Sequence, residues 1–371
     1  MKILLFVVLF LLSIFSYGFK DPNLVLTSNP AIQLLIRPLF HLVYYERPWA
    51  AALFFLFISL LFGIYLIFLN TYKEGWKKLA LAIVICGVIL SFSYPALTHD
   101  LFNYMTTAKV AFTYHENPYV VMPIEIPNEP YLAFTRAANK VALYGPVWIL
   151  FTGIPHFLGN NTIWQTIIMF KIGNVVAYLL FVYLIYRVTK SLKNVIFFAL
   201  NPLILIETLV SGHNDIYMML LACFGLYLWQ QRKLPGALSL FASMLIKGAT
   251  IVLLPLLLIK NISWNTVLRY AYVLLSMAFF VFAPLREELY PWYGVWLISI
   301  ASLMDMKKNS MIISFTIVLS FSLELRHLPY MWMGYYEGPG PLFRTLLTVI
   351  PIGIYILYIG FRYVLKENEK I

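Results

Sequence analysis

Long apolar runs restrict this chain more than any other feature. Residues 50–69, 79–94 and 163–186 are nearly uninterrupted apolar stretches, and similar runs recur along the sequence. A helix needs about 20 such residues to cross hydrocarbon, and fewer when it is tilted or spans only half the bilayer. A soluble protein of 371 residues would need far more polar surface than this chain owns, since 61% of it is hydrophobic and only 12% is charged. The expected fold is all-α: a polytopic helical membrane protein with roughly 11–13 membrane segments, half-spanning helices included. It is expected as one integral domain over residues 1–371, with no soluble appendage, linker or obvious repeat.

The formal charge of +11 reports topology rather than a nucleic-acid partner. Lys73, Lys77 and Lys78 share one short loop, and Arg187, Lys190 and Lys193 another. Arg232 with Lys233, Lys307 with Lys308, and Arg362, Lys366 and Lys370 continue the series. Such clusters in alternating loops follow the positive-inside bias and put both termini in the cytoplasm. Loops 18–48, 96–145, 211–215, 286–293 and 325–341 then face outward, and most acidic residues lie in them. Cys86 and Cys223 fall inside apolar runs, so no structural disulfide is expected. The start, "MKILLFVVLFLLSIFSYG", has a lysine and an apolar core but no small-x-small cleavage site, and is read as a retained first helix.

The longest polar stretch, 96–145, is too long for a tight connection and rich in aromatic residues and proline, which suits a functional loop folded on the outer face. Within it "FNYMTTAKVAFTYHE" reads as a short amphipathic helix offering Phe102, Met105, Val110 and Phe112 to an apolar face. "PYVVMPIEIPNEP" is broken by prolines. Residues 235–259 pose a separate question, because basic residues flank a span-length run on what should be one side. Two half-helices turning near Lys247–Gly248 reconcile the flanks, and such broken backbone borders cavities.

Lys171, Glu207 and Lys247 are ionisable groups in or near apolar spans, where each costs several kcal/mol unless paired or hydrated. Lys247 is the strongest functional candidate, with a structural ion pair as the alternative. Lys171 is expected to snorkel to an interface. Glu207 either lines a cavity or pairs with a cation. In "SGHND" His213 and Asp215 could hold a sugar hydroxyl or a phosphate, or Asp215 could cap the next helix. Arg326 is a better phosphate ligand than Arg286, whose neighbours Glu287 and Glu288 neutralise it; either could instead anchor an aromatic belt. There is no P-loop, HExxH, dinucleotide glycine pattern or CxxC pair. No Asp-x-Asp is present to hold a divalent metal on a diphosphate, so no metal ligand is assigned and no cofactor is fixed. A lipid phosphodiester carries one negative charge, which one or two Lys, Arg or His groups can stabilise.

"THDLFNYMTTAKV" with "ENPY", then "YGPVW" at 144–148, "NPLILIETLVSGHND" and "LIKGATIVLLPLLL" resemble the polytopic GT-C glycosyltransferases. The likeness is to the polyprenyl-phosphate-mannose-dependent mannosyltransferase branch, and it runs in order from about Pro95 to Pro255, continuing through "YPWYGVW" and "RHLPY". The resemblance implies a GT-C-like fold with a catalytic carboxylate at the end of a span, in the first large outer loop. Asp100 occupies that position. Where family members often carry a second acidic residue in a "WDG"-like stretch, this chain has "MTTAK", which speaks against a two-carboxylate scheme.

The chemistry suits these residues. Transfer from a lipid-phosphate sugar gathers negative charge on the departing phosphate, which Lys247, Arg326 or His213 could meet. Asp100, ionised at neutral pH, could take the proton of the incoming hydroxyl, and a single base opposite the leaving group implies inversion. His99, Asn103, Tyr104, Tyr144, Glu207 and Asp215 are candidates for binding sugar or acceptor, and an N-cap role for Asp100 is compatible with catalysis. The expected protein is thus an inverting hexosyltransferase, mannose being the favoured sugar, at the outer face of the cell membrane. It would use a polyprenyl-phosphate donor and a glycolipid, glycan or protein acceptor. A transporter or lipid flippase is the rival reading, with the intramembrane charges lining its pathway.

Overall fold

The computed structural model describes residues 1–231, 233–259, 262–286 and 288–368, with the backbone alone for residues 286 and 363–368. All described regular elements are helical. Helices α1 (Lys2–Ser16), α2 (Pro30–Tyr45), α3 (Arg47–Thr71), α4 (Trp76–Ser91) and α5 (Asp100–Phe112) precede the long loop. After it come α6 (Pro146–Leu158), α7 (Ile163–Thr189) and α8 (Leu192–Ala199), then a π-helical stretch, Ile204–Ser211. Next are α9 (Asp215–Gln231), α10 (Lys233–Met244), a 3-10 stretch (Gly248–Leu257) and α11 (Trp264–Met277). The chain closes with α12 (Ala283–Arg286), α13 (Gly294–Ala301), α14 (Ser310–Glu324), α15 (Leu328–Met333) and α16 (Gly340–Asn368).

Six described helical stretches are long and apolar enough to cross a bilayer: Lys2–Phe19, Arg47–Thr71, Ile163–Thr189, Trp264–Leu285, Ser310–Met333 and Gly340–Arg362. α8 and Ile204–Ser211 make a seventh if counted as one span bent by 53°. The protein is a polytopic helical membrane protein, in which six or seven full spans stand beside shorter apolar helices; the 11–13 segments expected counted half-spanning helices as well. The difference is one of length. α6 and Gly248–Leu257 are apolar but short, and α4 and α9 have only 16 and 17 residues.

Water does not drive helix against helix inside lipid, so packing and polar contacts must hold the bundle together. Ser239 and Ser243 on α10 donate to the carbonyls of Leu221 and Met218 on α9, both at 2.8 Å. Asn194 donates from α8 to the carbonyls of Ser302 and Met304 at 2.8 and 2.7 Å. One apolar core runs from Leu5 in α1 to Met331 in α15.

The long loop is fastened by charge. Lys109 on α5, almost wholly buried, pairs with Glu129 at 2.9 Å and lies over the Tyr131 ring. Tyr114 donates to the same carboxylate, and Arg136 reaches Asp21 at 3.1 Å. The expected amphipathic helix is α5, with Phe102, Met105 and Val110 buried and Phe112 half-buried.

Residues 235–259 are indeed broken. α10 ends at Met244, Gly248 starts the 3-10 stretch, and Leu245–Lys247 joins them in a non-helical link. The carbonyls freed there need donors, because a lost hydrogen bond is costly inside a membrane protein. The "YGPVW" segment supplies them: Gly145 N–H donates to Ile246 at 3.0 Å and Val147 N–H to Leu245 at 3.1 Å. Any side chain at residue 145 would press its Cβ to 2.0 Å from the Leu245 carbonyl oxygen, so glycine is required for this approach.

Candidate active site

Asp100 is the first residue of α5, where the chain leaves α4 through a short irregular link. His99 takes the cap position without a side-chain cap bond, and Thr98 Oγ1 accepts from the Asp100 N–H at 3.1 Å. The Asp100 carboxylate is thereby spared from capping its own helix. It faces His213, with Oδ2 3.3 Å from Nδ1.

The backbone of "SGHND" explains how His213 gets there. Ile204–Ser211 ends at Gly212, whose φ of +90° lies in the left-handed region that favours glycine. A Cβ there would also stand 2.9 Å from Leu101. The carbonyls ending the π-helical stretch are held by Lys171 of α7, which donates to Leu209 and Val210 and, at 2.7 Å, to Ser93 Oγ. Asn174, one turn on, donates to Thr208 O at 2.8 Å. Lys171 therefore does not snorkel. It is only 1% exposed, because a helix C-terminus supplies the negative end and the acceptors that water would otherwise provide.

His213 is buried between two carboxylates. Its Nε2 is 3.3 Å from Glu207 Oε2, and the Trp292 ring stacks on it with centroids 4.0 Å apart. Glu207 Oε1 in turn meets His327 Nε2 at 2.7 Å. Burial alone would discharge the imidazole, but Asp100 and Glu207 on either side raise its pKa to about 9. The same contact acts on Asp100. Burial would raise its carboxyl, yet His213, with Lys247 and Tyr144 behind it, holds it below the usual carboxylate range. Tyr144 is pushed well above its ordinary phenol value, first by burial and then by the Asp100 charge.

Asp215, the first residue of α9, is likewise not spent on a cap. Both its oxygens lie 3.0 Å from Lys247 Nζ, and Oδ1 accepts from Trp296 Nε1 at 2.6 Å. Lys247 also sits over the Tyr293 ring at 4.9 Å. It is 20% exposed at its side chain, whereas its carboxylate partner is fully buried.

The structure thus brings together Asp100, His213, Glu207, Tyr144, Asp215 and Lys247 from four separate stretches of sequence. Tyr104 packs edge-on against Tyr144 and Trp148, and its hydroxyl accepts from Asn214 N–H at 3.4 Å. Asn103 Oδ1 accepts from the N–H of Ala137 at 3.3 Å, tying α5 to the loop. His99 is half-buried, and burial together with the Arg136 charge keeps its imidazole below the usual value. Arg326 belongs to a separate cluster: it contacts Glu288 at 3.3 Å and Thr348 at 2.9 Å, beside Arg344. Glu287 lies outside the described residues, as does the side chain of Arg286.

Glu324 was not singled out from the sequence, and Trp292, Trp296 and His327 gain a place beside the site only in the structure. The two tryptophans read as an interfacial belt, although a buried indole needs a partner for its N–H. Glu324 is the clearer signal, an isolated acid ending the apolar run "SFTIVLSFSLE".

The exposed end of the Asp100–His213 pair is the carboxylate, 22% accessible against 1% for the imidazole. The carboxylate is therefore the end of the pair open to its surroundings, and the imidazole is shielded behind it. This is the arrangement of an ionised base oriented by a buried cation.

A family model described as Alpha-(1->6)-mannopyranosyltransferase, N-terminal domain, matches residues 14–262 of the chain. No curated protein and no solved structure matches it.

Proposed function

The chain belongs to the alpha-(1->6)-mannopyranosyltransferase family, and from that premise we propose that it moves a mannosyl unit from a polyprenyl-phosphate donor to a hydroxyl acceptor. Transfer takes place at the outer membrane face with inversion at the anomeric carbon. The observation that carries the reading is the Asp100 carboxylate, the reachable end of a buried acid–imidazole pair at the exit of an apolar helix.

In this mechanism Asp100 accepts the acceptor's proton as its oxygen bonds to the anomeric carbon and the bond to the donor phosphate breaks. His213 orients the carboxylate and carries positive charge beneath it. Lys247, the half-buried and more accessible member of the Asp215 pair, meets the charge that builds on the departing phosphate. Tyr144 holds the near side of Asp100, and Tyr104 holds Tyr144. The donor's lipid keeps its reactive carbon at the bilayer rim, which is where Asp100 stands on this topology.

Two donors test the reading. Purified protein with an acceptor should incorporate label from synthetic polyprenyl-phosphate mannose and none from a nucleotide-linked mannose. The anomeric configuration, read by NMR, should be opposite to that of the donor. Turnover of the soluble nucleotide sugar, or retained configuration, would overturn it.

A further inference from the structure

The mechanism leaves an intramembrane cluster unexplained. Glu324 ends α14 with its side chain fully buried. Neither of its carboxylate oxygens has a hydrogen-bond partner among the described residues, and Glu207 Oε2 has only the ion-pair contact with His213 at 3.3 Å. Glu207 is also fully buried, and its Oε1 touches His327 Nε2 at 2.7 Å. Ligand-type atoms of Glu207, Glu324 and His327 all lie within 4.8 Å of one another. Two carboxylates packed this closely away from water repel each other, and each forfeits its hydration. His327 meets Glu207 Oε1 and His213 stands 3.3 Å from Glu207 Oε2, which leaves both oxygens of Glu324 without a donor among the described residues.

We propose that Glu207, Glu324 and His327 form a binding site for one divalent first-row cation, Mn²⁺ or Zn²⁺. The donor set is two hard carboxylates and one borderline imidazole, which suits those ions better than Ca²⁺ or Cu⁺. The spacing supports it. "ELRH" places Glu324 and His327 three residues apart on one helical face, with the third donor from another helix, as in metal sites built inside helical bundles. A neighbouring shell is present too, since His213 stands 3.3 Å behind Glu207 Oε2. The ion would tie α14 and the turn after it to Ile204–Ser211, the stretch that delivers His213. The site is distinct from a metal held by Asp-x-Asp on a diphosphate, which this sequence lacks, and it does not depend on the donor proposed above.

The test reads the metal and not the transfer reaction. Full-length protein purified in detergent without chelator is analysed by inductively coupled plasma mass spectrometry. It is then stripped and titrated with MnCl₂ or ZnCl₂ while thermal unfolding is followed. The expected result is about one equivalent per chain and, for the stripped protein, a Tm raised by about 5 °C at a hundredfold excess over Kd. Glu324→Gln and His327→Gln should each lose the equivalent and the shift while keeping wild-type helicity by circular dichroism. Wild-type protein with no bound equivalent and no shift from either ion would overturn the proposal. So would a Glu324→Gln variant that keeps the bound equivalent and the thermal shift, since Glu324 would then not be a ligand.

Discussion

Which member of the Asp100–His213 pair meets solvent decides the chemistry, and geometry makes it the aspartate. Its carboxyl is held down by His213 against the upward push of burial. The sign of the pH dependence follows: a depressed carboxyl contributes stability above its unfolded value of 3.8, and loses it as pH falls through the lower folded value. Activity that needs the ionised form should keep its acid limb below pH 3.8. In His213→Asn burial is no longer opposed by an imidazolium, so the acid limb of the rate–pH profile should move upward, to above 3.8. An unmoved limb would mean that His213 does not set the Asp100 charge. Asp100, His213, Tyr144, Asp215 and Lys247 could each be picked out in short motifs of the chain. Which of them pair could not, because an ion pair between residues 32 or 113 positions apart leaves no mark on local composition.

At the scale of elements, two joints position these side chains. The first is the link 245–247, whose carbonyls are answered by Gly145 and Val147. Gly145→Ala would force a Cβ into the Leu245 carbonyl and should cost roughly 1–3 kcal/mol, moving Lys247 as well. The second is the end of Ile204–Ser211, held by Lys171. Lys171→Met leaves buried carbonyls without a donor and should cost about 2 kcal/mol or more, read as a lower Tm in detergent. Wild-type Tm values in either variant would contradict these assignments. The break in residues 235–259 could be read from its charged flanks, since lipid forbids them on one side of a full span. The role of Lys171 could not, because its acceptors are backbone carbonyls that no side-chain pattern announces.

For the whole molecule, the apolar runs spoke for a helical bundle, and six described spans bear that out. Which segments span fully and which only half was less legible. Short and bent helices carry the same apolar composition as full ones, and only their length and direction separate them. The family match covers about two thirds of the chain, from residue 14 to 262. Trp292, Glu324 and His327 lie beyond it and still close around His213 and Glu207. The proposed orientation has a direct check, because the two native cysteines are buried. A cysteine placed at Tyr119, on the long loop, should react with a membrane-impermeant thiol reagent in intact cells. One placed at Lys78 should react only after permeabilisation. The reverse pattern would put the site on the wrong face.

The most direct test of the central claim is mannosyl transfer by Asp100→Asn, measured with polyprenyl-phosphate mannose at saturating donor and acceptor. Loss of the base should lower kcat by about 10²–10⁴-fold while donor binding stays within a few-fold of wild type. A variant that turns over at the wild-type rate would show that the carboxylate at the rim of the bundle is not the base.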